Sequence, residues 1–237
     1  MSEHTIKAFD TELQELARKV AEMGGMAERQ IADAVAALAK RDTAQAERVM
    51  ALDAEIDALQ REIEEKCILT IARRQPMAVD LREVVGALRV SNDLERIGDL
   101  AKNIAKRVVV LDGEFRPNKV IRGVEHMTDL VLAQLKQVLD AYVRRDVAMA
   151  LEVWRNDEAI DAVNNSLFRE LLTYMMEDPR NISYCIHLLF CAKNIERMGD
   201  HATNIAETVY YMVEGRTLAE ERPKGDNTSI TPVSVRM

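Results

Sequence analysis

The sequence predicts an all-α protein made of two tandem, similar three-helix bundles. Three observations carry that expectation. Apolar residues recur at helical spacing along nearly the whole chain, the prolines fall at wide intervals, and one acidic motif occurs twice, 101 residues apart. Composition agrees: of 237 residues, 48% are apolar and 30% charged, a balance that excludes disorder of the chain as a whole. Aromatic residues make up only 4%, with nine Gly and five Pro, which disfavours a β-sandwich or barrel.

The first helix follows from Ile6, Phe9, Leu13, Leu16, Val20, Met23, Ala27, Ile31, Ala34 and Leu38, spaced by threes and fours into one apolar seam. Gly24-Gly25 in its middle is expected to weaken or bend it. Lys40-Arg41-Asp42-Thr43 supplies a turn and a fresh N-cap. A second helix carries Val49, Leu52, Ile56, Leu59 and Ile63 to about Gln75, and Pro76 suits the first turn of a third. That third helix places Val90, Leu94, Ile97, Ala101, Ile104 and Val108 on one seam and ends at Asp112-Gly113.

The pattern then restarts. Pro117 opens a fourth helix through Val124, Val131, Leu135 and Val138, and Arg145-Asp146 marks a turn. A fifth helix runs through Ile160, Leu167 and Leu171 to Glu177. Asp178-Pro179 caps a sixth, which carries Leu188, Cys191, Ile195, Met198, Ala202, Ile205 and Val209 to a stop at Gly215. The expected division is a first bundle over 1–113, a second over 117–215 and a flexible C-terminal tail over 216–237.

Charge narrows the function. Forty acidic against 32 basic residues give a net charge of −8, contrary to the basic excess of a nucleic-acid binder. No apolar run reaches membrane-spanning length, and Met1-Ser2-Glu3-His4 does not open a signal peptide. Cys67, Cys185 and Cys191 form no CxxC pair and read as buried thiols in a reducing compartment, so a cytoplasmic location is expected.

The repeat holds the most information. Asp93-Leu-Glu-Arg-Ile-Gly-Asp-Leu-Ala-Lys-Asn-Ile-Ala105 aligns with Asn194-Ile-Glu-Arg-Met-Gly-Asp-His-Ala-Thr-Asn-Ile-Ala206, and upstream Asp53-Ala-Glu-Ile-Asp57 echoes in Asp157-Glu-Ala-Ile-Asp161. Each half thus carries two carboxylate pairs at i, i+4, a spacing that sets side chains about 6 Å apart on one helical face. The pairs are Asp53/Asp57 and Glu95/Asp99, then Asp157/Asp161 and Glu196/Asp200. They are expected on the outside of each bundle, away from both cores, and to face each other along a partly shielded groove between the second and third helices of a half. There, mutual repulsion favours proton uptake or a divalent or trivalent cation. Oxygen ligands alone suit Mg, Ca, Mn or iron better than a closed zinc site. A plain solvated acidic face is the competing account. Gly98 and Gly199 are expected to let helices approach closely, Arg96 and Arg197 to pair with local acids, and Met23, Met198 and Met212 to fill core. His201 stands where the first repeat has Leu100, outside the shared pattern.

The duplicated Glu-Arg-x-Gly-Asp-x-Ala-x-Asn-Ile motif, the Asp-x-x-x-Asp pairs and Pro76-Met-Ala-Val-Asp-Leu-Arg82 resemble the PhoU family over residues 5–214. The resemblance implies two three-helix bundles, generally assembled as a homodimer. It implies action with the ATPase subunit of the phosphate importer and with a membrane-bound sensor histidine kinase, repressing the phosphate-starvation response. It also implies surface clusters of iron or zinc at the eight carboxylates named above. Asp80 aligns with Asn181, so the two halves are not chemically equivalent.

Other classes fit less well. A di-iron bundle enzyme needs Glu-x-x-His pairs facing inward, and none of His4, His126, His187 and His201 has a Glu three residues before it. No hydrolase triad or phosphate-cradling glycine loop is present, so a non-enzyme is expected. A helical adaptor whose acidic faces bind basic partner surfaces remains an alternative.

Overall fold

The computed structural model describes residues 3–111 and 118–219. They form α1 (Glu3–Lys40), α2 (Thr43–Arg74), α3 (Ala78–Val110), α4 (Asn118–Arg144), α5 (Val147–Arg155), α6 (Asp157–Glu177) and α7 (Ile182–Glu214), with no strand among the described residues. Helices α1, α2 and α3 pack on one another as one bundle, and α4 to α7 as the other. The bundles join side by side, α3 against α7 and α1 against α4, and one continuous apolar core runs through both.

The predicted seams are the core. Val20, Met23, Ala27 and Ile31 of α1, Val90, Leu94, Ile97 and Ile104 of α3, and Leu188, Ile195, Met198 and Ile205 of α7 are wholly buried. Each large aliphatic removed from water contributes about 1.5–3 kcal/mol. Leu52, placed on the α2 seam by spacing, is instead exposed.

The turn between first and second helices occurs twice. Arg41 takes a left-handed φ of 60°, and Asp42 Oδ1 then accepts from Gln45 N at 2.8 Å, capping α2. One repeat later Arg145 has φ 55° and Asp146 Oδ1 accepts from Met149 N at 3.0 Å. Each cap contributes about 1 kcal/mol. At the far end, Gly215 adopts φ 73° and its N–H closes α7 on Tyr211 O at 2.9 Å, a conformation glycine takes without Cβ strain.

Three local expectations change. Gly24-Gly25 does not interrupt α1; a Cβ on Gly24 would stand 2.6 Å from Leu139 Cδ1 of α4, so its bareness permits close contact between the bundles. Pro76 lies outside α3, in a connection where Gln75 (φ 49°) caps α2 and Met77 is extended, and α3 starts only at Ala78. The expected fifth helix is two, α5 and α6. At Asn156 the N–H divides between Glu152 O at 3.1 Å and Val153 O at 3.2 Å, which tightens the turn, and asparagine is a weak helix-interior residue. Asp178 and Pro179 perform as capping pair for a single 3-10 turn, Pro179–Asn181, that feeds α7. The expected boundary at 112–117 and the tail beyond 219 lie outside the described residues, whereas Leu218 packs against the core.

Helices α3 and α7 run antiparallel. Arg82 Nε donates to Met212 O at 3.2 Å near one end, and Arg107 Nη1 meets His187 Nδ1 at 3.2 Å near the other. Close approach rests on Gly86, where a Cβ would fall 2.1 Å from Met212 Sδ. Gly86→Leu should therefore lose about 1–3 kcal/mol in urea denaturation, and Met212→Ala in the same chain should return part of that loss.

Candidate functional site

The eight sequence-predicted carboxylates lie on two packed helix pairs, α2 with α3 and α6 with α7, with a groove along each pair. Glycine makes each groove narrow. A Cβ on Gly98 would meet Ile56 Cδ1 at 3.3 Å, and one on Gly199 would meet Ile160 Cδ1 at 2.9 Å. These isoleucines lie between the paired aspartates of α2 and α6, so both glycines let the acidic helices close on each other, as expected.

Burial departs from expectation. Asp53, Asp157, Asp161 and Glu196 are only 3%, 4%, 5% and 6% exposed, not on an outer face. Asp57, Glu95, Asp99 and Asp200 are half-buried. The cause is the neighbouring helix, which covers the line of acids that a single helical wheel leaves in solvent.

Buried carboxylates need compensation. In the first groove Lys102 Nζ donates to Asp53 Oδ2 and stands 3.6 Å from Asp99 Oδ1, while Arg96 Nε lies 3.5 Å from Glu95 Oε2. Burial pushes the Glu95 carboxyl above its ordinary range. Arg96 opposes that rise, and Asp99, Asp57 and Asp53 add to it, so Glu95 feels all three other carboxylates. The hydrogen bond to Asp53 raises Lys102, with lesser contributions from the surrounding acids.

The second groove is compensated differently. Thr203, which replaces Lys102 in the repeat, donates through Oγ1 to Asp157 Oδ1 at 3.2 Å, and Lys193 Nζ lies 2.7 Å from Glu196 Oε2. The inequivalence foreseen from Asp80 and Asn181 thus reaches the grooves themselves.

Donor chemistry fits a hard cation: each groove offers four carboxylates and no thiolate or imidazole. As they stand, no three His, Cys, Asp or Glu side chains among the described residues are drawn together closely enough to hold one. Binding in the first groove would require Lys102, 28% exposed, to release Asp53 and swing outward.

Spacing alone missed several residues. Gln30 and Gln134, 104 apart, are 1% and 7% exposed, and each turns a buried Oε1, unpartnered among the described residues, towards Gly98 or Gly199. Their repetition was the available signal. Asp93 and His201 were not linked by any local pattern, yet His201 Nδ1 lies 2.8 Å from Asp93 Oδ1 across the bundle interface, and Asn204 Nδ2 donates to the same oxygen at 3.3 Å. The three thiols are buried as expected, and desolvation pushes Cys67 up to about 11.

A duplicated all-α bundle with two inter-helix carboxylate grooves defines the class. The family model for the PhoU domain matches residues 20–108 and again 124–209. The chain is 58% identical over 226 residues to the phosphate-specific transport system accessory protein PhoU homolog of Rhizobium meliloti, covering 95% of each chain. It is 52% identical to the homolog of Caulobacter vibrioides, covering 95% of this chain and 98% of that one. Among solved structures, PhoU from Pseudomonas aeruginosa superposes with a TM-score of 0.82 at 40% identity, covering 88% of this chain and all of that one. The phosphate transport system regulatory protein PhoU from Streptococcus pneumoniae gives 0.82 at 29%, covering 90% and 100%. The chain belongs to the PhoU family.

The raised Glu95 carboxyl fixes a pH sign. The folded chain holds this proton where the unfolded chain has released it, so stability falls as pH rises from about 4.3 through the folded value. In chelator at pH 7, Glu95→Gln should melt above the native protein, by less than about 1 kcal/mol, and the gain should vanish near pH 4.

Proposed function

We propose that this chain is a non-catalytic negative regulator of phosphate uptake and of the phosphate-starvation response. It acts by contact with the ATPase subunit of the phosphate importer and with a sensor histidine kinase, as a cytoplasmic homodimer peripheral to those membrane complexes. The observation that carries this reading is the pair of PhoU-domain matches, each spanning one carboxylate groove. The names of the relatives, accessory and regulatory proteins of phosphate transport, support it. None of the described helices is long and apolar enough to cross a membrane, which suits contact from one side.

In this reading the grooves hold iron, zinc, magnesium or manganese. Asp53, Asp57, Glu95 and Asp99 are the ligand set of the first, and Asp157, Asp161, Glu196 and Asp200 that of the second. The cation would offset carboxylate repulsion and present open positions to an oxygen ligand. Lys102 on Asp53 favours a second reading for the first groove, a metal-free acidic face that docks a basic surface.

Deletion of the gene should derepress phosphate-responsive transcription and alter phosphate uptake when phosphate is plentiful. Unchanged reporter activity and uptake would refute the regulator. Metal analysis separates the two groove readings. Purified protein should carry bound cation, and the Glu95→Ala/Asp99→Ala double variant should lose the share held by the first groove. If neither protein holds metal, the grooves are acidic docking faces.

A further inference from the structure

Near the C-terminal end of α7, a cavity of about 390 Å³ opens at the junction with α3, lined by Arg89, Asn204, Glu207, Thr208, Tyr211 and Thr217. Arg89 rests with Cζ 4.9 Å from the centroid of the Tyr211 ring and forms no ion pair with a described residue. Thr208, 6% exposed as a residue, lines the cavity and makes no hydrogen bond with its side chain among the described residues. Glu207 is fixed in the wall, its Oε1 accepting from Trp154 Nε1 at 3.0 Å. Asn204 is fixed by its bond to Asp93.

This set is absent from the other half. The positions 101 residues earlier or later are Phe190 for Arg89, Asn103 for Asn204, Lys106 for Glu207, Arg107 for Thr208 and Val110 for Tyr211. Only the asparagine is common, so the duplicated framework does not by itself explain the polar wall.

We propose that this cavity binds a tetrahedral oxyanion that retains a proton, namely orthophosphate. The proposal rests on the regulatory reading only for its choice of oxyanion. A guanidinium with no carboxylate partner among the described residues offers fork-shaped charged donors to an oxyanion. Thr208 and Thr217 hydroxyls can turn to match its oxygens. Ionised Glu207 can only accept, so it repels an oxyanion without a proton and accepts a hydrogen bond from one that has it. At neutral pH inorganic phosphate keeps a proton and sulfate does not. The acidic wall is therefore a selectivity element.

The test is calorimetric titration of the full chain, kept in chelator so that metal in the grooves cannot recruit anions, with inorganic phosphate and separately with sulfate. Expected are saturable phosphate binding at millimolar concentration or below and sulfate binding weaker by about tenfold or more, the scale of one charged hydrogen bond. Arg89→Gln should weaken phosphate by a similar factor and Arg89→Lys by less. Glu207→Gln should bring phosphate and sulfate close to parity. Melting curves of each variant verify the fold; Arg89 is exposed, so its substitution leaves the core intact. Absence of phosphate saturation, full binding by Arg89→Gln, or equal affinity for sulfate in the native protein would each overturn the site. A deletion strain that still derepresses alongside any of those results would remove the cavity proposal and leave the regulator standing.

Discussion

The contact between α3 and α7 constrains everything else in this molecule. These two helices carry the duplicated motif, and they lie antiparallel with the Met212 side chain seated against the bare Gly86. Each also forms one wall of its own carboxylate groove. One face of either helix is therefore committed to the other bundle, one to its own core and one to the acids. Glu196, 6% exposed, lies on these covered faces, while Arg89, Arg96, Phe190 and Arg197 keep one stripe of each helix in solvent.

Burial turns an ordinary i, i+4 acidic pair into a charged device. In water such pairs repel by a few tenths of a kcal/mol. Pressed between two helices, they demand a counter-charge, and the two halves answer differently: Lys102 reaches Asp53 in one, Thr203 and Lys193 serve in the other. Divergence after duplication has thus acted on the compensating residues and left the carboxylates in place.

Most of the architecture was legible because it rests on periodicity, which one sequence displays. The seams through Leu94, Ile97 and Ile104 and their counterparts predicted both bundles, and Asp42, Asp178 and Gly215 announced their caps. What stayed hidden depends on neighbours distant in the chain. A wheel drawn for α6 cannot show that Asp161 is buried, nor can spacing reveal that Asp93 meets His201 over a separation of 108 residues. Gly24 reads as a helix breaker until the opposing Leu139 is seen, and the break at Asn156 reflects local competition too slight to register against strong flanking periods. The carboxylate set was legible as residues, but its depth was not.

The unbroken core has a consequence for cooperativity. Opening either bundle exposes not only its own interior but also the apolar surface by which it meets the other, at Gly24 with Leu139 and Gly86 with Met212. Local opening is therefore charged with the free energy of the shared seam and merges into global unfolding. The repeat is a unit of ancestry; the unit that melts is the whole pair.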